Sequence, residues 1–105
     1  MIVKTPPPPY YTVIFTSTKT NKEEEYLEMS DKMLAMASKQ KGFLGVESAR
    51  ETIGITVSYW SDLDAIKKWK ENASHKVARE KGRENWYQSF SVRIAKVERD
   101  YFFDK

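Results

Sequence analysis

Two apolar segments separated by a short turn, Phe43-Leu44-Gly45-Val46-Glu47-Ser48 and Gly54-Ile55-Thr56-Val57-Ser58-Tyr59-Trp60, carry bulk at odd and even positions alike. Successive strand residues point to opposite faces, so a hairpin of these segments is apolar on both sides and needs two covers. The amphipathic helix in the chain suffices for one. The other face must therefore meet a second copy of the chain or enclose a ligand.

Size points the same way. At 105 residues the chain is one small domain that buries a limited fraction of its unfolded surface, and a partner subunit would add burial. Hydrophobic residues make up 40% and charged residues 31%, a balance that folds rather than stays disordered. The net charge is +3 with both signs mixed along the chain, which argues against a polyanion partner. Cysteine is absent, which removes disulfides, thiolate nucleophiles and thiolate metal sites. The start, Met1-Ile2-Val3-Lys4-Thr5-Pro6, lacks the charged-then-apolar layout of a secretory signal, and the apolar runs are too short for a bilayer. These features predict a cytoplasmic protein.

The run Pro6–Pro9 predicts an extended lead-in over residues 1–9 and a domain over residues 10–105. Tyr10–Ser17 reads as a strand, with Tyr11, Val13 and Phe15 on one face and Tyr10, Thr12 and Ile14 on the other. Asn21 caps a helix that continues to about Gln40, with Tyr26, Met29, Met33, Met36 and Ala37 as its buried stripe. Three of the chain's four methionines fall in this helix, a pliable core rather than a partner groove. Gly42 ends the helical region, and strands follow at Phe43–Arg50 and Ile55–Trp60. Ser61 is the expected cap of a second helix with the stripe Leu63, Ile66, Trp69 and Ala73. The stripe shifts phase near Asn72–His75, predicting a break and a second helical piece to Lys81 before Gly82. From Trp86 to about Arg99, Phe90, Val92 and Ile94 alternate with Ser91, Arg93 and Ala95 in a long last strand.

The order β-α-β-β-α-β, with its second helix split, predicts an α+β ferredoxin-like fold: a four-stranded antiparallel sheet with both helices on one face. Tyr10, Ile14, Val46 and Val97 are expected on the other face, where a homodimer should form.

The residues themselves resemble the antibiotic biosynthesis monooxygenase (ABM) family, a branch of the dimeric α+β-barrel superfamily. The resemblance lies in Gly42-Phe43-Leu44-Gly45-Val46-Glu47-Ser48, Gly54–Trp60, Asp64-Ala65-Ile66 with Trp69, His75, Gly82-Arg83 and Trp86-Tyr87, nearly the whole chain after the prolines. It implies a homodimer whose two sheets close into a barrel, with a pocket between sheet and helices in each subunit. It also implies a cofactor-independent monooxygenase acting on a small electron-rich aromatic or polycyclic substrate. Two alternatives remain: a haem-binding or haem-degrading monooxygenase, and a non-catalytic dimer that holds a small ligand. The haem branch uses a strand-one asparagine, a helix tryptophan and an iron-ligating histidine about three turns further on. Trp69 matches the tryptophan, but strand one has no asparagine and the histidine position falls near Arg79.

Apart from the resemblance, His75, the only histidine, is either a capping or solvent-facing side chain or a pocket group acting as base, proton donor or iron ligand. No cluster of ligands accompanies it, which argues against a dedicated non-haem metal site. Hydrolase triads, phosphate loops and dinucleotide fingerprints are absent from the sequence. The remaining material is aromatic, and most of it should serve as core. The candidate substrate-binding set is Phe15, Tyr59, Trp60, Arg79, Arg83 and Trp86, with Trp69, Asn72 and His75 as the candidate catalytic groups. Oxidation without a cofactor requires a substrate that itself gives electrons to O₂. The protein then deprotonates it and stabilises the anion, with His75 as base and Asn72 or Arg83 beside the charge.

The same element order also builds the RNA-recognition module, and Lys41-Gly42-Phe43 opens like one of its motifs. That motif belongs on the module's third strand with more aromatics behind it, whereas here it begins the second strand and continues Leu44-Gly45-Val46. The basic run from Lys67 to Arg83 is interrupted by Glu71 and Glu80 and reads as a solvated face. RNA binding is rejected.

Overall fold

A computed structural model describes residues 2–19, 23–80 and 87–105, with side chains described at 2–18, 31–73 and 89–105. Aromatic and β-branched residues build β1 (Tyr10–Lys19), followed by α1 (Glu23–Ser38), β2 (Phe43–Arg50), β3 (Gly54–Trp60), α2 (Leu63–Glu80) and β4 (Tyr87–Val97). The strands pair antiparallel in the order β2-β3-β1-β4, so the fold is the expected α+β ferredoxin-like one.

Both helices lie over the centre of one sheet face. The core joins Val13, Ala37, Trp60, Ala65 and Ile66, with Tyr11, Phe43 and Trp69 packed against it. Met33 and Met36 are half-buried beside buried Ala37; Tyr26 and Met29 lie outside the described side chains. Trp60 is sealed completely, at 0% exposure, with its indole N–H on Ser58 Oγ at 2.9 Å. That bond is needed because a buried donor left without an acceptor costs about 1–3 kcal/mol.

At the turn into β2, Gly42 has φ +91°, and a Cβ there would come within 2.7 Å of both Ala65 Cβ and Ser61 Oγ. Glycine admits this backbone and lets the turn sit against the start of α2, where Ser61 N–H donates to the Gly42 carbonyl at 2.8 Å.

Three local expectations need correction. The second helix is not split: α2 runs unbroken for 18 residues. A phase shift in the apolar pattern weakens a buried stripe, but with no proline or glycine between Leu63 and Glu80 nothing interrupts the backbone ladder. The cap of α2 is Asp62 rather than Ser61, since Asp62 Oδ1 accepts the Ala65 N–H at 2.7 Å, and this bond is the leading cause that lowers the Asp62 carboxyl pKa. Val46 lies on the helix side. An irregularity between Phe43 and Gly45 shifts the register so that Val46 pairs with Ser58, and one inserted residue inverts every side chain beyond it.

The N-terminal segment also differs from a plain extended lead-in. The chain bends at Pro7 and Pro8, and the Pro8–Pro9 peptide bond is cis. Val3 N–H donates to Glu47 Oε2 at 2.9 Å, Thr5 to Asp100 at 3.4 Å, and Lys4 to Asp104 at 2.8 Å. The two ends of the chain thus lie together over one end of the sheet face that the helices leave open.

Candidate functional site

Pairing fixes which side chains share the helix-bearing face. Phe15 of β1 stands opposite Val92, and Val13 opposite Ile94. Phe90 stacks on Phe15 with ring centroids 5.6 Å apart. Val13 is 4% exposed, yet Phe90, Val92 and Ile94 remain 43%, 41% and 46% exposed. The helices therefore cover β1 and β3 more fully than the inner face of β4, where these three apolar side chains form a partly exposed row. Trp69 of α2 packs on Trp60 at 5.5 Å, and its indole Nε1 is buried with no hydrogen-bond acceptor among the described residues. A buried donor without a partner is the kind of group that a bound ligand can satisfy.

The predicted site residues divide between faces. Phe15 and Trp69 are on the helix side, half-buried. Trp60 is on that side too but wholly enclosed, so it shapes the site from below without surface to offer a ligand. Asn72 is exposed on α2, in reach of solvent rather than in the core. Tyr59 alternates with Trp60 and so points to the opposite face, where it meets Tyr10 edge-on at 6.0 Å. It cannot share a pocket with Phe15. The side chains of His75 and Arg79 on α2, and the residues Arg83 and Trp86, lie outside the described residues. Arg93 is on the face away from the helices, opposite Ile14, with Nη1 donating to Ser91 at 3.1 Å.

Tyr59 instead belongs to a second cluster. Its hydroxyl donates to Glu47 Oε1 at 2.7 Å, and burial first, then this bond, pushes its pKa up to about 12. The same bond and the Val3 N–H hold the Glu47 carboxyl below its ordinary value. Nearby, Tyr10 donates to Asp100 Oδ2 at 2.6 Å, and burial followed by that bond raises its pKa.

Two groups were missed from the sequence. The strip on β4 had a signal, the alternation of Phe90, Val92 and Ile94, but alternation alone does not say which face stays uncovered. Glu47 with Tyr59, and Asp100 with Tyr10, had none, since Tyr10 and Asp100 are 90 residues apart.

Comparison with known proteins decides the family. The antibiotic biosynthesis monooxygenase profile matches residues 9–81. The chain belongs to this family. Within it, the chain is 51% identical over 104 residues to the uncharacterized protein YqjZ of Bacillus subtilis, covering 97% of this chain and 91% of that one. Among solved structures, SnoaB of Streptomyces nogalater, a cofactor-independent oxygenase, superposes with a TM-score of 0.66 at 14% identity, over 93% of this chain and 100% of that one. PA3566 of Pseudomonas aeruginosa gives 0.64 at 21% identity, over 96% and 100%. At such identities the structural likeness shows the fold alone, which agrees with the profile match. Among the described residues no helix is long and apolar enough to cross a membrane.

Proposed function

We propose that this chain is a cofactor-independent monooxygenase that takes a small electron-rich aromatic or polycyclic substrate on the helix side of its sheet. The observation that carries the reading is the apolar row of Phe90, Val92 and Ile94, each a little under half exposed, with Phe90 stacked on Phe15. On the same side of the sheet is the buried indole N–H of Trp69. A flat apolar surface with few polar groups suits an aromatic ring carrying one oxygen substituent. Family membership and the likeness to SnoaB support the class of reaction.

The chemistry closes without an added reductant. A methylene activated by flanking aryl and carbonyl groups loses a proton to give an enolate or phenolate, which donates electrons to O₂. A C–O bond forms, the O–O bond then breaks, and one oxygen remains as a carbonyl while the other leaves as water. The four-electron oxidation of CH₂ to C=O matches the four-electron reduction of O₂. In this reading His75 is the base, Trp69 N–H and Asn72 or Arg83 stabilise the anion, and Phe15, Arg79 and Trp86 flank the ring. Two copies associate through the face away from the helices, where Ile55 is 45% exposed.

The test is oxygen consumption with an anthrone-type substrate and no added cofactor. Label from ¹⁸O₂ should enter the product, and Val92→Asp, which puts a charge on the strip, should reduce kcat/KM at least tenfold with the fold intact by circular dichroism. His75→Ala should also lower turnover. Absence of uptake above the enzyme-free rate, or full activity in Val92→Asp, would overturn the reading.

A further inference from the structure

Strand register sets four residues in one row across an end of the sheet: Phe90 opposite Ser17, Ser17 opposite Gly54, and Gly54 opposite Arg50. Directly paired residues point to the same face, and Ser17 shares the face of Val13 and Phe15. Arg50 therefore belongs to the helix-bearing side. Its guanidinium reaches over β3, where Nη2 donates to the hydroxyl of Ser17 on β1, a residue only 2% exposed. Gly54 makes the crossing possible, since a Cβ there would run into the guanidinium.

This crossing carries a positive charge to the end of the apolar row. Neighbouring strands lie about 4.8 Å apart, so a guanidinium anchored on Ser17 adjoins Phe90 on the next strand. Among the described sheet residues of this face, the other charged one is Lys96, opposite Tyr11 at the far end, and none is acidic. The β2 carboxylate, Glu47, is on the opposite face with Tyr59. From Phe90 to Ile94 the row runs roughly 14 Å at about 3.4 Å per residue, more than a single ring needs. A guest with its rings along the row brings one end to Arg50. The guanidinium fork of N–H donors matches the two oxygens of a carboxylate. A purely structural tie to Ser17 would need a donor but not a charge.

We propose that Arg50 is a specificity-determining residue of the oxidation site, holding a carboxylate at the end of the aromatic substrate that lies away from Trp69. The substrate class narrows to aromatic acids. This inference rests on the helix-side reading of the site and adds a residue which that reading does not use. Arg50 takes no part in the proton or electron transfers.

The full chain is titrated with anthracene-2-carboxylate and, as its neutral counterpart, anthracene-2-carboxamide. Ligand fluorescence and the ring proton resonances of Phe15 and Phe90 report binding. The acid should bind about tenfold or more tightly than the amide, as a charge-assisted pair allows, and should shift both rings. Arg50→Gln, which keeps a donor for Ser17, should bring the acid down to the affinity of the amide. Arg50→Lys, which keeps the charge, should restore part of the preference, and Lys96→Met should leave it unchanged. With a carboxylated anthrone, Arg50→Gln should raise KM about tenfold and leave kcat within about twofold, the split expected when binding remote from the reacting carbon is lost. Circular dichroism checks the fold of each variant, and the wild-type comparison of acid with amide needs no variant. Equal binding of the two, or a preference that survives in Arg50→Gln, would overturn the proposal and leave the oxidation standing. An Arg50-dependent preference without oxygen uptake would strike the oxidation and keep the anion site. Shifts at Tyr10 and Tyr59 in place of Phe15 and Phe90 would strike both.

Discussion

Glu47 and Tyr59 hold opposite ends of one hydrogen bond, and the pH dependence of the chain should carry both signatures. Glu47 has a folded pKa below the ordinary 4.5, so its contribution to stability is complete above 4.5 and is lost as pH falls through the lower folded value. Tyr59 behaves oppositely: its pKa rises from 10.0 to about 12, so its contribution is present below pH 10 and is lost between about 10 and 12. Thermal midpoints across both ranges should show the two declines, and Glu47→Gln should shrink both; unchanged declines in that variant would refute the coupling. Gly42→Ala is the second test at this scale. With φ +91° and a Cβ only 2.7 Å from Ala65 Cβ, it should cost roughly 1–3 kcal/mol by chemical denaturation. The need for glycine at position 42 was legible as the end of a helical run. The Tyr59–Glu47 bond was not, because it depends on β2–β3 register.

Each element's type could be read from side-chain period, and its detail from what lay against it. The alternation in β1 and β4 and the apolar stripe of α2 are local signals, and they placed six elements in the right order. The continuity of α2 was misjudged because a shift of the stripe changes what a helix packs on without breaking its backbone bonds. The side of Val46 was misjudged because a bulge is a property of a strand pair. Removing the cap with Asp62→Ala should lower the thermal midpoint and the far-ultraviolet helix signal together, whereas Ser61→Ala should leave both nearly unchanged. At the centre, Trp60→Ala should cost about 3–5 kcal/mol, since the indole is wholly enclosed. A value below 1 kcal/mol would mean that the helices do not close over β3.

For the whole molecule, the two chain ends act as a partial second cover for a sheet that is apolar on both sides. Gly45 marks their contact: a Cβ there would come within 2.5 Å of Val3 Cγ1. Gly45→Ala should therefore displace the N-terminal arm and lower stability, and Val3→Ala in the same chain should recover the steric part, as a double-mutant cycle in urea would measure. Additive effects would show that the arm is not seated there. From the sequence alone came the elements, their order, the aromatic core and the need for a second cover, because these follow from side-chain period and from the balance of apolar surface against helix. Only the tertiary structure decided that Tyr59 and Phe15 face opposite ways, that β4 keeps a partly exposed apolar row, and that the ends of the chain meet across Glu47 and Asp100. Those outcomes depend on strand register and on contacts between residues as far apart as Lys4 and Asp104, which no local pattern encodes.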